Sequence, residues 1–147
     1  MEVWLSPALG FDYAKAEARI YGAGTSPISW VSYRDVAEIC AIAVRHPAAA
    51  RKTIEFGGPE ALSPLEVVGR VERIGGKPFR LEHISEQTLR ARYEGATDPL
   101  QKSFAALMLG YLHGDAMNVA RVVDTCGIKL CNVDAYARGV LGKTASA

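Results

Sequence analysis

The chain has 147 residues, 49% of them hydrophobic and 22% charged, with a mean hydropathy of +0.04; these values exclude intrinsic disorder and fit a single domain with a sizeable core. Seventeen Lys and Arg against sixteen Asp and Glu leave a net charge of +1 without any run of like charge. That excludes the electrostatic footprint of a nucleic-acid or anionic-membrane binder.

In chain order, the first β-type run covers residues 18–21 and the second residues 28–31. Between them Gly22-Ala23-Gly24-Thr25-Ser26 predicts a hairpin loop joining the two. Ser32-Tyr33-Arg34-Asp35 then opens a helix with an acidic first turn. Its apolar positions Val36, Ile39, Cys40, Ala43 and Val44 recur at helical spacing until Pro47 stops it. Residues 52–56 read as a strand set between two helices, as a βα unit demands.

Ser63-Pro64-Leu65-Glu66 is a capping box with proline at the first helical position. Val67, Val68, Val71 and Ile74 follow, and Gly75-Gly76 ends the helix. A further β-type run at residues 79–84 precedes a short helix from Ser85 through Leu89 to Tyr93. Asp98-Pro99-Leu100-Gln101 opens the next helix, with Leu100, Phe104, Leu107, Met108 and Tyr111 on one stripe and a close at Gly114. Asn132-Val133-Asp134 begins the last helix, carrying Val133, Tyr136, Ala137, Val140 and Leu141 to Gly142, and the tail from Lys143 to Ala147 reads as frayed. The result is an α/β chain of helices packed on a few short strands.

The chemistry these residues exclude is as informative. A dinucleotide fingerprint starting at Gly22 would need its third glycine at position 27, which is Pro27, and no helix opens there. His46, His83 and His113 have neither an i, i+4 pair nor a cysteine at zinc spacing, so no metal site is expected. Cys40, Cys126 and Cys131 are an odd set without framework spacing. They read as buried thiols in a reducing, cytoplasmic setting. The apolar stretches end short of the roughly 18–20 residues a spanning helix needs, and the acidic Met1-Glu2 start is unlike a signal peptide. There is no Gly-x-Ser-x-Gly elbow and no phosphate-binding Walker loop. A Tyr-x-x-x-Lys acid/base pair is absent too, because the residues four beyond the six tyrosines are Glu17, Thr25, Ala37, Thr97, Asp115 and Val140.

The segment from Ile28 to Val44, which opens Ile-Ser-Trp-Val-Ser-Tyr-Arg-Asp-Val-Ala-Glu-Ile-Cys, resembles the strand-to-helix turn in the second half of NmrA-like atypical short-chain dehydrogenases/reductases. In the same order as in that family come Tyr21-Gly22-Ala23-Gly24, the run from Thr53 to Ser63 with Gly57-Gly58-Pro59-Glu60 at its centre, and Gly75-Gly76-Lys77-Pro78-Phe79. Cys126-Gly127-Ile128 leading into Asn132-Val133-Asp134-Ala135-Tyr136 resembles the family's C-terminal helix. The resemblance covers nearly the whole chain and implies the C-terminal, substrate-side part of a Rossmann-type fold. The family's glycine-rich front part has no counterpart here, and the resemblance makes Met1 an internal methionine of a longer ancestor.

Three functions follow from this resemblance. In the first, the chain is the substrate-side part of an NAD(P)-dependent oxidoreductase, not catalytic alone and unable to hold the cofactor's pyrophosphate. Met1, Glu2 and Trp4 would then approach the nicotinamide and substrate, with Tyr33 and Arg34 near the cleft, although Trp4 also suits a core and Arg34 a solvated first turn. In the second, it is a ligand-binding or redox-sensor module whose stripe of Phe104, Leu107, Met108, Tyr111 and Leu112 forms a lid, a stripe that equally suits a core. In the third, it is an interaction subunit completing a partner's sheet. A parallel strand at residues 52–56 without neighbours would expose its edge, so a homo-oligomer, a dimer for example, or a nucleotide-binding partner chain is expected.

Overall fold

A computed structural model of the protein describes residues 1–144. Five short strands and six helices follow one another: β1 (Phe11–Asp12), β2 (Glu17–Tyr21), β3 (Ile28–Ser29), α1 (Tyr33–Arg45), β4 (Ala61–Leu62), α2 (Pro64–Gly75), β5 (Arg80–Ile84), α3 (Glu86–Gly95), α4 (Pro99–Tyr111), α5 (Ala120–Cys126) and α6 (Val133–Thr144). Single turns of 3₁₀ helix occupy Pro7–Leu9 and Pro47–Ala49. None of the described helices is long and apolar enough to cross a membrane.

The helix starts are set by local hydrogen bonds. Ser32 accepts from the Asp35 amide, Ser85 from Thr88 and Asp98 from Gln101. At Ser63 the box closes in both directions, the Glu66 amide donating to the serine hydroxyl and the Glu66 carboxylate accepting from the Ser63 amide at 2.8 Å. Each such cap stabilises its helix by about 1 kcal/mol. The last helix runs on through Gly142 to Thr144, two residues past the stop expected there, since one glycine costs a helix only about 1 kcal/mol. Of the expected frayed tail, Lys143 and Thr144 thus close α6, and residues 145–147 lie outside the described residues.

Two sheets form. β2 is central in the larger one, antiparallel to β1 and parallel to β5, with Arg19 opposite Glu82 and Glu17 opposite Arg80. Both cross-strand pairs are ion pairs, at 2.9 and 2.6 Å, and opposite charges facing each other favour this register. β3 pairs with β4 in a separate two-stranded sheet, extended by a parallel bridge from Ile28 to Asp115. The expected hairpin between residues 18–21 and 28–31 is therefore absent. The glycine loop carries the chain from one sheet to the other, and Leu65 donates its amide to Gly24.

Residues 52–56 are not a strand either. They have no regular secondary structure, with Ile54 and Phe56 half-buried and Thr53 and Glu55 exposed. No backbone hydrogen bond ties residues 53–57 to other described residues, and the next one is from Gly58 to the Ser29 carbonyl at 3.1 Å. The exposure alternates as in a strand, but among the described residues no ladder partner lies alongside.

The main core gathers β1, β2, α2 and α6 around Ile20, Val67, Val71, Val133 and Ala137. Each fully buried valine contributes about 1.5–3 kcal/mol. A smaller cluster of Tyr21, Ile84, Leu89 and Met108 packs the α3–α4 pair against β2 and β5. Helix α1 is bound less fully: Ile39 and Asp35 are buried, whereas Cys40 and Val44 are exposed. Cys126 and Cys131 are half-buried. The expectation of three buried thiols thus fails for Cys40: of the α1 stripe Ile39 is buried and Ala43 half-buried, while Val36, Cys40 and Val44 are exposed.

Gly58 shows how closely the segments approach. A Cβ there would lie 1.8 Å from the Trp30 carbonyl oxygen, whereas one at Gly69, inside α2, would meet nothing within 4 Å. Gly58→Ala should lower stability by about 1–3 kcal/mol through the forced backbone shift, and Gly69→Ala should raise it by up to about 1 kcal/mol. Urea unfolding of the two variants beside the parent chain measures both, and equal midpoints would contradict the close approach at Gly58.

Candidate functional site

A cavity of about 510 Å³ opens between the N-terminal segment, the β3 region, the start of α1 and the outer face of α4. Its walls are aromatic and aliphatic, and Trp4, Trp30, Tyr33, Phe56 and Phe104 supply the rings. Such an enclosure suits a flat apolar ligand.

Each wall has a local cause. Trp30 follows β3 and is buried at 3% exposure, its indole N–H donating to the Leu62 carbonyl at 2.7 Å. Trp4 stacks on Tyr111, with ring centroids 4.9 Å apart and planes at 16°. Trp30 in turn meets the edge of Tyr111 at 6.3 Å, so one tyrosine supports both indoles from behind. The Ser29 hydroxyl is consumed by Met117, accepting its amide at 2.9 Å and donating to its carbonyl at 3.5 Å. The cavity's remaining side-chain polar groups belong to Trp4, Tyr33 and Asp115.

The eight residues expected near a pocket divide evenly. Met1, Trp4, Tyr33 and Phe104 line the cavity; Glu2, Arg34, Met108 and Tyr111 do not. The Glu2 carboxylate caps α1, accepting the Tyr33 amide at 3.0 Å, and lies 3.4 Å from the terminal ammonium. Burial works against its ionisation, but the amide bond and the ammonium outweigh that and hold the carboxyl below its ordinary range. Arg34 is exposed, where the first turn of α1 meets solvent. Met108 faces the opposite side of α4 and is fully buried in the smaller core. Tyr111 sits behind Trp4 rather than in the cavity.

Of the remaining lid residues, Leu107 lines the cavity and Leu112 packs on the smaller core. Trp30, Phe56 and Asp115 are wall residues that sequence reasoning passed over. The aromatic residues at 30 and 56 were visible as parts of strand-like runs, but nothing local brings them together.

The glycine loop does not fit a dinucleotide. A Cβ at Gly24 would lie 2.4 Å from Ile20 and one at Gly22 2.7 Å from Leu112. Both glycines are therefore packed against protein, the Gly22 amide already donates to the Ile84 carbonyl at 2.8 Å, and the next helix, α1, starts only at Tyr33, unlike a loop that presents its amides to a pyrophosphate at a helix N-terminus. No group of three or more His, Cys, Asp or Glu residues able to hold a metal ion occurs among the described residues.

Comparison with known proteins gives a consistent outcome. No protein-family model matches the chain. The NAD(P)H azoreductase of Xenophilus azovorans is 29% identical over 105 residues, covering 67% of this chain and 37% of that protein. Among solved structures, an NADPH-dependent quinone oxidoreductase from Escherichia coli superimposes with a TM-score of 0.69 at 16% identity, over 94% of this chain and 50% of that one. The leucoanthocyanidin reductase of Vitis vinifera, solved with NADPH, also reaches 0.69 at 16% identity, over 84% of this chain and 44% of its own. The chain spans half or less of the length of these proteins. What it shares with the solved structures is the fold: mixed α/β, matching part of a Rossmann-like reductase.

The support behind the cavity has a pH signature. Burial raises the phenol of Tyr111, with Tyr21 adding to the effect, and burial likewise raises that of Tyr13, whose hydroxyl is enclosed without a partner. Both phenols ionise more easily in the unfolded chain, so the stability they confer is fully present below about pH 10 and declines above it. Unfolding midpoints measured from neutral to alkaline pH should fall beyond that point, and less steeply in Tyr111→Phe. A midpoint unchanged across this range would contradict the burial of both rings.

Proposed function

We propose that the chain forms the substrate-side wall of an NAD(P)H-dependent reductase of the NmrA-like short-chain type, its cavity receiving a flat, hydrophobic substrate. The observation that carries this reading is the aromatic-walled cavity. The 29% identity to an NAD(P)H azoreductase and the shared fold support the same class. The nicotinamide cofactor belongs to this reading through the resemblance. Because the glycine loop does not fit its pyrophosphate, the residues of this chain are assigned only to binding and enclosing the substrate, and the phosphates to another polypeptide segment. A cytoplasmic, reducing location agrees with three unpaired cysteines.

Both tryptophans of the chain line the cavity, so intrinsic fluorescence reports its occupancy. A naphthoquinone should quench it saturably. Phe104→Ala should weaken that binding about five- to tenfold by removing one ring face, and Val44→Ala, at an exposed position away from the cavity, should leave it unchanged. NADPH alone should give no tight complex. Saturable quinone binding untouched by Phe104→Ala would reject the cavity as the site, and tight NADPH binding would reject the assignment of the phosphates elsewhere. The stand-alone binding module is favoured over the reductase part if quinone binds and no nucleotide-binding chain restores turnover.

The partner follows from residues 53–57. A segment with strand-like alternation whose backbone groups have no partner among the described residues is a template for strand addition, and we assign it to a second copy of the chain or to a nucleotide-binding chain. Light scattering during size exclusion should show a dimer or larger species, or a monomer that pairs when the nucleotide-binding chain is added. A lone monomer whose amides at residues 53–57 are strongly protected from hydrogen exchange would contradict this.

A further inference from the structure

Asp115 is the single carboxylate among the cavity's lining residues. No hydrogen bond or ion pair engages its side chain among the described residues, while its backbone is held on both sides. Its amide donates to the Pro27 carbonyl at 2.9 Å and its carbonyl accepts from the Ser29 amide at 3.0 Å. Gly114 before it, at φ +75°, lies so near that a Cβ would sit 2.4 Å from the Pro27 carbonyl oxygen. After it, Met117 is fastened to the Ser29 hydroxyl. Asp115, itself exposed, is thus mounted on a fixed backbone in the wall of a largely apolar space. Besides Asp115, the cavity's lining residues bring one other charge, the Met1 ammonium, which is spent on the Val31 carbonyl and Glu2.

A lone carboxylate beside aromatic faces selects by charge. It attracts a cation and repels an anion, more strongly as water is displaced, and the rings of Trp4, Tyr33 and Phe104 in the same wall also favour a cation over a neutral group. We propose that the cavity takes a flat hydrophobic ligand carrying a positive charge at one end, with Asp115 pairing to that charge. This rests on the reading of the cavity as the substrate site and adds the substrate's charge class to it.

The test uses three ring systems of similar size: quinoline, which is neutral, N-methylquinolinium, which is cationic, and quinoline-2-carboxylate, which is anionic. Each is titrated into the full chain by tryptophan quenching, corrected for inner-filter absorption and checked by calorimetry. N-methylquinolinium should bind about three- to tenfold more tightly than quinoline, and quinoline-2-carboxylate more weakly than either. Asp115→Asn should remove most of the cation's advantage while leaving quinoline unchanged. In the unmutated chain the advantage should shrink as salt is raised, a readout that does not depend on the variant folding.

Equal binding of quinoline and N-methylquinolinium would overturn the charge assignment and leave the cavity reading standing. A cation preference that survives both Asp115→Asn and high salt would overturn the role of Asp115. Quenching by none of the three would overturn the cavity reading and the charge assignment together.

Discussion

The close passage of Gly57-Gly58 against Ser29-Trp30 is the contact on which the site depends. Side chains at positions 57 or 58 would collide with Ser29 Cβ at 2.8 Å or with the Trp30 backbone, so two segments meet there as nearly bare backbone. This places the Trp30 indole where it donates to Leu62 and closes the small β3–β4 sheet around a buried hydrogen bond. Such a bond is worth about 1 kcal/mol net, and its unpaired N–H would cost more. Trp30 then presents one surface to the cavity and another to Tyr111, which stacks on Trp4. Three aromatic rings and two glycines therefore shape the cavity through contacts between residues far apart in the chain.

The elements most legible in the sequence are those whose cause is local. Ser32, Ser63, Ser85 and Asp98 mark helix starts because each cap bonds to an amide three residues on, within the reach of a short window. Strand pairing was not legible. β2 finds its partners in β1 and in β5, more than sixty residues later, and neither choice leaves a signature around Gly22-Ala23-Gly24. Residues 52–56 carry the alternation of a strand without a ladder, since alternation records one half-buried face and not a hydrogen-bonded neighbour. The site divides in the same way. Trp4, Tyr33 and Phe104 drew notice by residue type or helical spacing, whereas Phe56 and Asp115 reach the cavity only through the crossing of the two glycines and the bridge from Asp115 to Ile28.

The arrangement separates tasks within the chain. The sheet of β1, β2 and β5 with α2 and α6 forms the larger core, and the α3–α4 pair is attached through its own smaller cluster. The cavity lies between that pair and the β3 region, so its volume depends on how the smaller cluster seats α4. Phe104 and Leu107 project from α4 into it, while Met108, one position on, anchors the same helix in the interior. A single helix thus joins packing to ligand enclosure, as expected when a binding surface is mounted on a regular element instead of a loop.

The parallel pairing of β2 with β5 has a kinetic side. Its ion pairs link residues 63 positions apart, and α1, β3, β4 and α2 all lie within the intervening chain. The capped helices can form in microseconds from neighbouring residues. The ladder must wait until that long loop has closed, an entropic cost incurred before the pairing contributes anything. Until residues 80–84 have been made and docked, β2 has an open edge on that side, and the charged side chains of Glu17 and Arg19 discourage its association with other strands.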